Sequence, residues 1–363
     1  MKRVLAILST SLVFAACGDP AGTSPSTGGS GATTTGTSTG GGTSTGGSTA
    51  TTSSDARPPK PADLQSFVTG DDADADVIPA GPGVILMGGG ADVDAAFQWW
   101  KPLVNQGDVV VLRASGADGY NDYLYTDIGG CDSVETLVVD TPDLAADPYV
   151  AWTIRHAEGL FLAGGDQAKY LTLWKGTPVE DALRDAHARG AVIGGTSAGC
   201  AVLGEWMFAA LNDTVYSDEA LADPYNQYMT MERDFLGAPL LAGILTDTHF
   251  AQRDRMGRLV AFLARVVADG WSTAAIGIGV DEATAIVAGP DGEGQVLGSG
   301  AAYVVRTSLA PEVCESGVPL TFTGLTLTKL VAGDTIHLPD ATTSKSGSPL
   351  SADAGALSPA NPY

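Results

Sequence analysis

From residue 82 onward, short runs that are apolar throughout alternate with longer segments that are apolar on one side only. The runs at 84–90, 108–115, 136–140, 160–165, 191–197, 243–250, 276–282 and 284–288 are rich in Val, Ile, Leu and Ala, and predict strands buried on both faces. Between them, 93–104, 148–157, 178–190 and 255–270 place apolar residues at helical spacing and predict amphipathic helices. This alternation predicts an α/β fold, a three-layer sandwich with one mostly parallel central sheet covered by helices. After Val296 the runs 301–308 and 320–330 read as hairpin strands, a small antiparallel addition. Residues 340–363 turn to Ser, Ala and Pro and predict a loose tail, so that 63–339 forms one folded domain without internal repeats.

The first 62 residues follow neither period. Lys2 and Arg3 precede an apolar stretch at 4–14 and small residues before Cys17, which predicts a secretory signal peptide over 1–16. The stretch is too short to remain as a membrane-spanning helix. Two alanines before a cysteine resemble the lipobox of bacterial lipoproteins, which implies lipidation of Cys17. Phe14 departs from the aliphatic residue usual there, and an ordinary signal cut nearby is the alternative. Either way the protein is exported, lipid-anchored at the bacterial cell envelope or surface in the first case and secreted in the second. Residues 17–62 are Ser, Thr and Gly with little to bury, and predict a flexible linker. A coil of that length reaches about 35 to 40 Å.

Charge narrows the partners. Against 19 basic residues stand 42 acidic ones, for a net charge of -23, and no basic cluster offsets them. That excludes nucleic acid and an anionic membrane surface as partners, leaving any membrane contact to the lipid anchor. Export permits a disulfide, and Cys131 with Cys314 is the pair to test, since Cys200 lies in an apolar run. No CxxC pair or histidine cluster has metal-ligand spacing, and GGGAD at 88–92 lacks the G-x-G-x-x-G spacing of a dinucleotide loop. Neither a metal nor a cofactor is expected. A homodimer is left open.

In parallel α/β sheets, ligands sit beyond the carboxyl ends of the strands, and three such ends carry chemistry. The first is 195-GTSAG-199, a G-x-S-x-G sequence between an apolar strand and an apolar helix, which suits an exposed nucleophile, Ser197, on a strained turn. The same glycines would also serve a turn needed only for close packing. The second is 246-TDTHF-250: of four histidines, only His249 ends an apolar parallel strand, so it is the candidate base. The third is 280-VDEAT-284, where Asp281 or Glu282 could orient an imidazole, or simply form a turn. Together they predict serine, histidine and acid on three strand ends of one sheet.

Chain order then separates families. An α/β-hydrolase runs serine, acid, histidine; the order Ser197, His249, Glu282 instead resembles the S51 serine peptidases, the group of cyanophycinase and aspartyl dipeptidase. The resemblance spans about 82–338 and rests on GGG at 88–90, 163-AGGDQ-167, 194-GGTSAG-199, 247-DTHFAQRDRMGRL-259 and 279-GVDEAT-284. It implies a fold like the class I glutamine amidotransferase domain and hydrolysis of cyanophycin, a poly-aspartate bearing arginine on its side chains, to β-aspartyl-arginine dipeptides. It implies Ser197 as nucleophile, His249 as base and Glu282 as orienting acid, with Gln167, Asp247, Arg253, Arg255 and Arg258 lining the substrate pocket. The amides of Ala198 and of Gly165, or its neighbour Gly164, would form the oxyanion hole. Read by themselves, the arginines are equally a solvated, salt-bridged helix face. Thr248 stands where cyanobacterial members often carry Gln. The acidic, aromatic segment 211–235 is either a lid over the pocket or a surface excursion. Two other readings stay open: a dipeptidase or isoaspartyl peptidase acting on small peptides, and a non-catalytic binding lipoprotein.

Overall fold

Strands apolar at every position are stable only when both faces are covered, and the chain meets that demand with two sheets. A computed structural model describes residues 56–363. The expected signal peptide at 1–16, the lipidation site Cys17 and the linker up to residue 55 lie outside the described residues. The first half runs β1 (Gln65–Gly70), β2 (Val84–Met87), α1 (Asp94–Val104), β3 (Asp108–Arg113), β4 (Ser133–Val138), α2 (Pro142–Ala145), α3 (Pro148–His156) and β5 (Gly159–Leu162). Next come α4 (Gln167–Trp174), α5 (Pro178–Arg189), β6 (Val192–Thr196), α6 (Ala198–Ala201), β7 (Trp206–Phe208), α7 (Ser217–Ala222), β8 (Met231–Arg233), β9 (Ile244–Asp247) and α8 (Met256–Ala268). The rest is strand: β10 (Ala275–Val280), β11 (Thr284–Ala288), β12 (Glu293–Gly298), β13 (Ala301–Thr307), β14 (Phe322–Val331), β15 (Thr335–His337), β16 (Thr342–Thr343), β17 (Ser348–Asp353) and β18 (Ala356–Ser358).

The first sheet has the order β1-β4-β3-β5-β6-β2-β11-β12-β15-β16, and its parallel core is β4-β3-β5-β6-β2. Every residue of β2, β5 and β6 is buried, and each fully buried Leu, Ile or Met contributes roughly 1.5 to 3 kcal/mol. The second sheet has the order β18-β17-β14-β13-β10-β9-β7-β8, parallel only where β7, β9 and β10 meet. One apolar cluster joins them, with Leu86, Ile193 and Ile286 of the first sheet packed in the same core as Ile244, Ile278 and Val280 of the second.

The single central sheet expected from the apolar runs is therefore replaced by two. The runs at 243–250 and 276–282 form strands of the second sheet, since burial on both faces says nothing about which neighbour a strand pairs with. The loose tail expected after Asp340 is also corrected: 348–353 and 356–358 pair with β14 and with each other, burying Leu350 and Ala352. At the other end, the last residues of the expected linker are structural. Arg57 bonds Glu135 and the hydroxyl of Tyr149 at 2.8 Å, and stacks over the Tyr149 ring. Cys131, Cys200 and Cys314 are all free thiols, so the pair singled out for a disulfide is not bonded.

Candidate active site

Ser197 follows β6 directly and takes φ 52°, ψ -119°, a conformation non-glycine residues rarely adopt. Two close approaches hold it there. Its N–H donates to the Met87 carbonyl of β2 (3.1 Å), and α6 then packs so tightly on the end of β5 that a Cβ on Gly199 would lie 2.0 Å from the Leu162 oxygen. Only glycine fits the second position, so the G-x-S-x-G pattern does set the turn that presents the hydroxyl.

His249 lies just past β9, also at positive φ (46°), with its N–H donated to the Gly88 carbonyl (2.8 Å). Glu282 sits where the chain crosses from β10 to β11, that is, from the second sheet to the first. The three side chains meet: Ser197 Oγ is 2.7 Å from His249 Nε2, and His249 Nδ1 is 2.6 Å from Glu282 Oε1. A carboxylate only accepts, so Nδ1 carries the proton and Nε2 offers its lone pair to the serine hydroxyl. The expectation that all three sit on one sheet is corrected, because the serine belongs to the first sheet and the histidine to the second.

The glycines at 88–90 fill that joint, a role the sequence did not reveal. A Cβ on Gly89 (φ 94°) would fall 2.6 Å from His249 Nε2 and 3.1 Å from Ser197 Cβ. The Gly89 carbonyl also accepts from Ala283 N–H (2.9 Å), which fixes the Glu282 loop. Two further residues hold this loop, of which only Gln252 escaped notice. Gln252 Oε1 accepts from Glu282 N–H (3.0 Å), and Asp281, the acid beside Glu282, accepts from the amides of Ala251 (2.8 Å) and Ala301 (3.0 Å). Asp281 thus takes a structural part, and Glu282 alone reaches the imidazole.

Electrostatics favour a neutral base. Burial pushes the His249 imidazole below its usual 6.5; the Glu282 hydrogen bond works in the opposite direction, and the charges of Arg253 and Arg255 add to the lowering. The thiol of Cys200, three residues from Ser197, is fully buried and pushed far up, so it is not nucleophilic at neutral pH.

The residues expected to line a substrate pocket divide into two groups. Asp247 is buried and held by Arg258 through Nε–Oδ2 (2.8 Å) and Nη2–Oδ1 (2.5 Å), with Arg255 Nη1 at 3.4 Å. Burial opposes ionisation of this carboxyl, but the two arginines outweigh it and hold it below the usual range. Arg258 also lies over the Phe208 and Phe262 rings and is itself buried. These two charges neutralise each other, and the Asp247 carboxylate is bonded within the protein and does not line the cavity, which corrects the expectation for Asp247. Breaking such a buried pair by removing one partner costs roughly 3 to 5 kcal/mol. Arg253 is exposed and Arg255 half-buried, and they border a cavity of about 320 Å³ together with Thr214, Val215, Tyr216, Ser217 and the flank of Arg258. Burial lowers Arg255 to about 10, short of losing its charge at neutral pH. Gln167 does not face this cavity by any bond; its amide donates to the Phe208 carbonyl (2.6 Å) and ties α4 to β7. Of the expected oxyanion donors, Ala198 opens α6, and Gly164 rather than Gly165 borders the serine: a Cβ on Gly164 would lie 3.5 Å from Ser197 Cβ, while one on Gly165 would meet the Tyr170 hydroxyl. The segment 211–235 supplies α7 and β8 and walls the cavity.

The fold and this linked hydroxyl, imidazole and carboxylate define an α/β protein with the side-chain set of a serine hydrolase. A family model for peptidase family S51 matches residues 121–290. The cyanophycinase of Trichormus variabilis is 32% identical over 214 residues, 58% of this chain and 66% of that protein. The cyanophycinase of Synechococcus elongatus is 32% identical over 187 residues, 51% of this chain and 52% of that one. Over that span the chain is similar to the peptidases of family S51. It spans just under two thirds of the length of the first relative and about half of the second. A solved structure of a peptidase from an acI-B1 Actinobacterium aligns with a TM-score of 0.47 at 17% identity, over 71% of this chain and 97% of that one.

Proposed function

We infer that the protein is an exported serine-type hydrolase that cleaves cyanophycin to β-Asp-Arg dipeptides through an acyl-enzyme. The observation that carries this reading is the unbroken relay from Ser197 Oγ through His249 to Glu282, at 2.7 and 2.6 Å. His249 takes the serine proton as Oγ attacks the peptide carbonyl, then returns it to the leaving amine, while Glu282 holds the tautomer and stabilises the imidazolium. The amides of Ala198 and of Gly164 or Gly165 receive the developing oxyanion; each such donor typically carries about a hundred- to a thousand-fold in turnover. Arg253 and Arg255, whose charges reach His249, give a strongly acidic chain a cationic cavity suited to the carboxylates of an aspartyl substrate. The parallel core β4-β3-β5-β6-β2 supports the amidotransferase-like reading of the fold.

Purified protein incubated with insoluble cyanophycin is expected to release β-Asp-Arg dipeptides, measured by mass spectrometry, with little action on free aspartyl dipeptides. Turnover of the small peptides alone would transfer the reading to a dipeptidase or isoaspartyl peptidase. No turnover and no labelling of Ser197 by a serine-reactive phosphonate would leave a binding protein. Export and anchoring rest on the leader at 1–16 and on Cys17. Incorporation of a palmitate analogue at Cys17 is the expected result, and a Cys17→Ala variant labelled equally well would rule the anchor out.

A further inference from the structure

The turn that carries His249, Arg253 and Arg255 lacks a cap of its own. Arg255, where α8 begins, makes no side-chain capping bond, so the first free amides of the helix need partners from elsewhere. They find them on two distant segments. Met256 N–H donates to the hydroxyl of Tyr363 (2.8 Å), and Arg258 N–H donates to Ser217 Oγ on α7 (3.1 Å). The Tyr363 hydroxyl in turn donates to Asp254 Oδ1 (2.9 Å), and Asp254 sits in the left-handed region at φ 49°. The Asp254 carbonyl accepts from the Ser217 hydroxyl, which closes the circuit.

Beneath this network lies a cluster of rings. Tyr363 meets Phe250, the residue after His249, with centroids 6.0 Å apart, and Tyr303 at 5.6 Å, perpendicular. Phe250 and Tyr303 are 5.3 Å apart, and both are fully buried. Aromatic pairs of this geometry add to the burial of their area. The residue therefore grips the 250–256 turn twice, by its ring at Phe250 and by its hydroxyl at Asp254 and Met256.

We propose that Tyr363 is a positioning residue, a brace that holds the turn between His249 and α8 so that Arg253 and Arg255 face the cavity. The assignment of those arginines to substrate rests on the function proposed above; the brace itself rests on the contacts alone. It acts on the groups that bind more than on those that react, because His249 is independently fixed by its bonds to Gly88, Ser197 and Glu282.

The test is Tyr363→Phe, which keeps the ring and removes both hydroxyl bonds, beside Leu350→Ala, which loosens the buried core of the β17 hairpin and leaves the hydroxyl in place. Hydrogen exchange should quicken over 250–258 in Tyr363→Phe and stay at the wild-type rate there in Leu350→Ala. With cyanophycin as substrate, Tyr363→Phe should raise KM about fivefold, the low end for two lost hydrogen bonds, with kcat within twofold of wild type. Leu350→Ala should lower Tm and leave KM unchanged. Unaltered exchange over 250–258 in Tyr363→Phe would overturn the brace, as would a fall in kcat with KM unmoved. A wild type without turnover would refute the proposed function while exchange still decides the brace.

Discussion

A Ser197→Ala variant is expected to lose about 10⁶-fold in kcat on cyanophycin and to melt at the wild-type temperature. The size follows from the relay: without the hydroxyl no acyl-enzyme forms, and the imidazole has nothing to deprotonate but water, which in a serine protease costs about that factor. The unchanged melting temperature follows from the backbone. The φ of 52° is imposed by the bond to Met87 and by the packing of α6 on β5, and alanine bears the same conformation at the same strain. Cys200 offers no rescue, being buried with its thiol pushed up. Steady-state dipeptide release and a thermal melt measure the two halves. A variant that keeps a tenth of the wild-type rate would remove Ser197 from the mechanism.

Changing Glu282 to Gln should cost about 10⁴-fold, the loss seen when the orienting carboxylate of a serine protease becomes an amide. The amide can donate as well as accept, so His249 is free to take the tautomer with its proton on Nε2, facing the serine it must deprotonate. The pH profile supplies a second readout. In the wild type, activity should rise with pH as the imidazole deprotonates, with a midpoint below 6.5 because burial lowers that group. The hydrogen bond and charge of Glu282 both act to raise it, so their removal should move the midpoint further down. A loss of less than tenfold, or a midpoint displaced upward, would assign the orienting role to another group.

These expectations show how far local pattern reaches. The G-x-S-x-G turn was legible as a compact motif between an apolar strand and an apolar helix, although the contacts that demand it come from Met87 and Leu162 on other strands, and His249 stood out as the one histidine ending an apolar strand. Sheet membership was not legible. The runs 191–197 and 243–250 look alike as sequence, yet one pairs with β2 and the other with β10, a choice made by long-range packing. Asp247 shows the same limit. The family resemblance marked it as a substrate-pocket residue, and only the fold reveals Arg258, eleven positions on, turned back to neutralise it. The glycines at 88–90 were visible as a block, but their contact with His249 depends on a residue 160 positions away. The strands after Asp340 were hidden by composition, since Ser, Ala and Pro signal looseness unless a partner such as β14 recruits them.

The placement of Ser197 and His249 on separate sheets makes their 2.7 Å separation a property of how two halves dock, not of either half by itself. On the mechanism proposed above, the shared apolar cluster between the sheets sets the geometry of the relay as much as the imidazole does. A small slip along that seam, too slight to expose the core, would part Ser197 from His249 while every strand kept its hydrogen bonds.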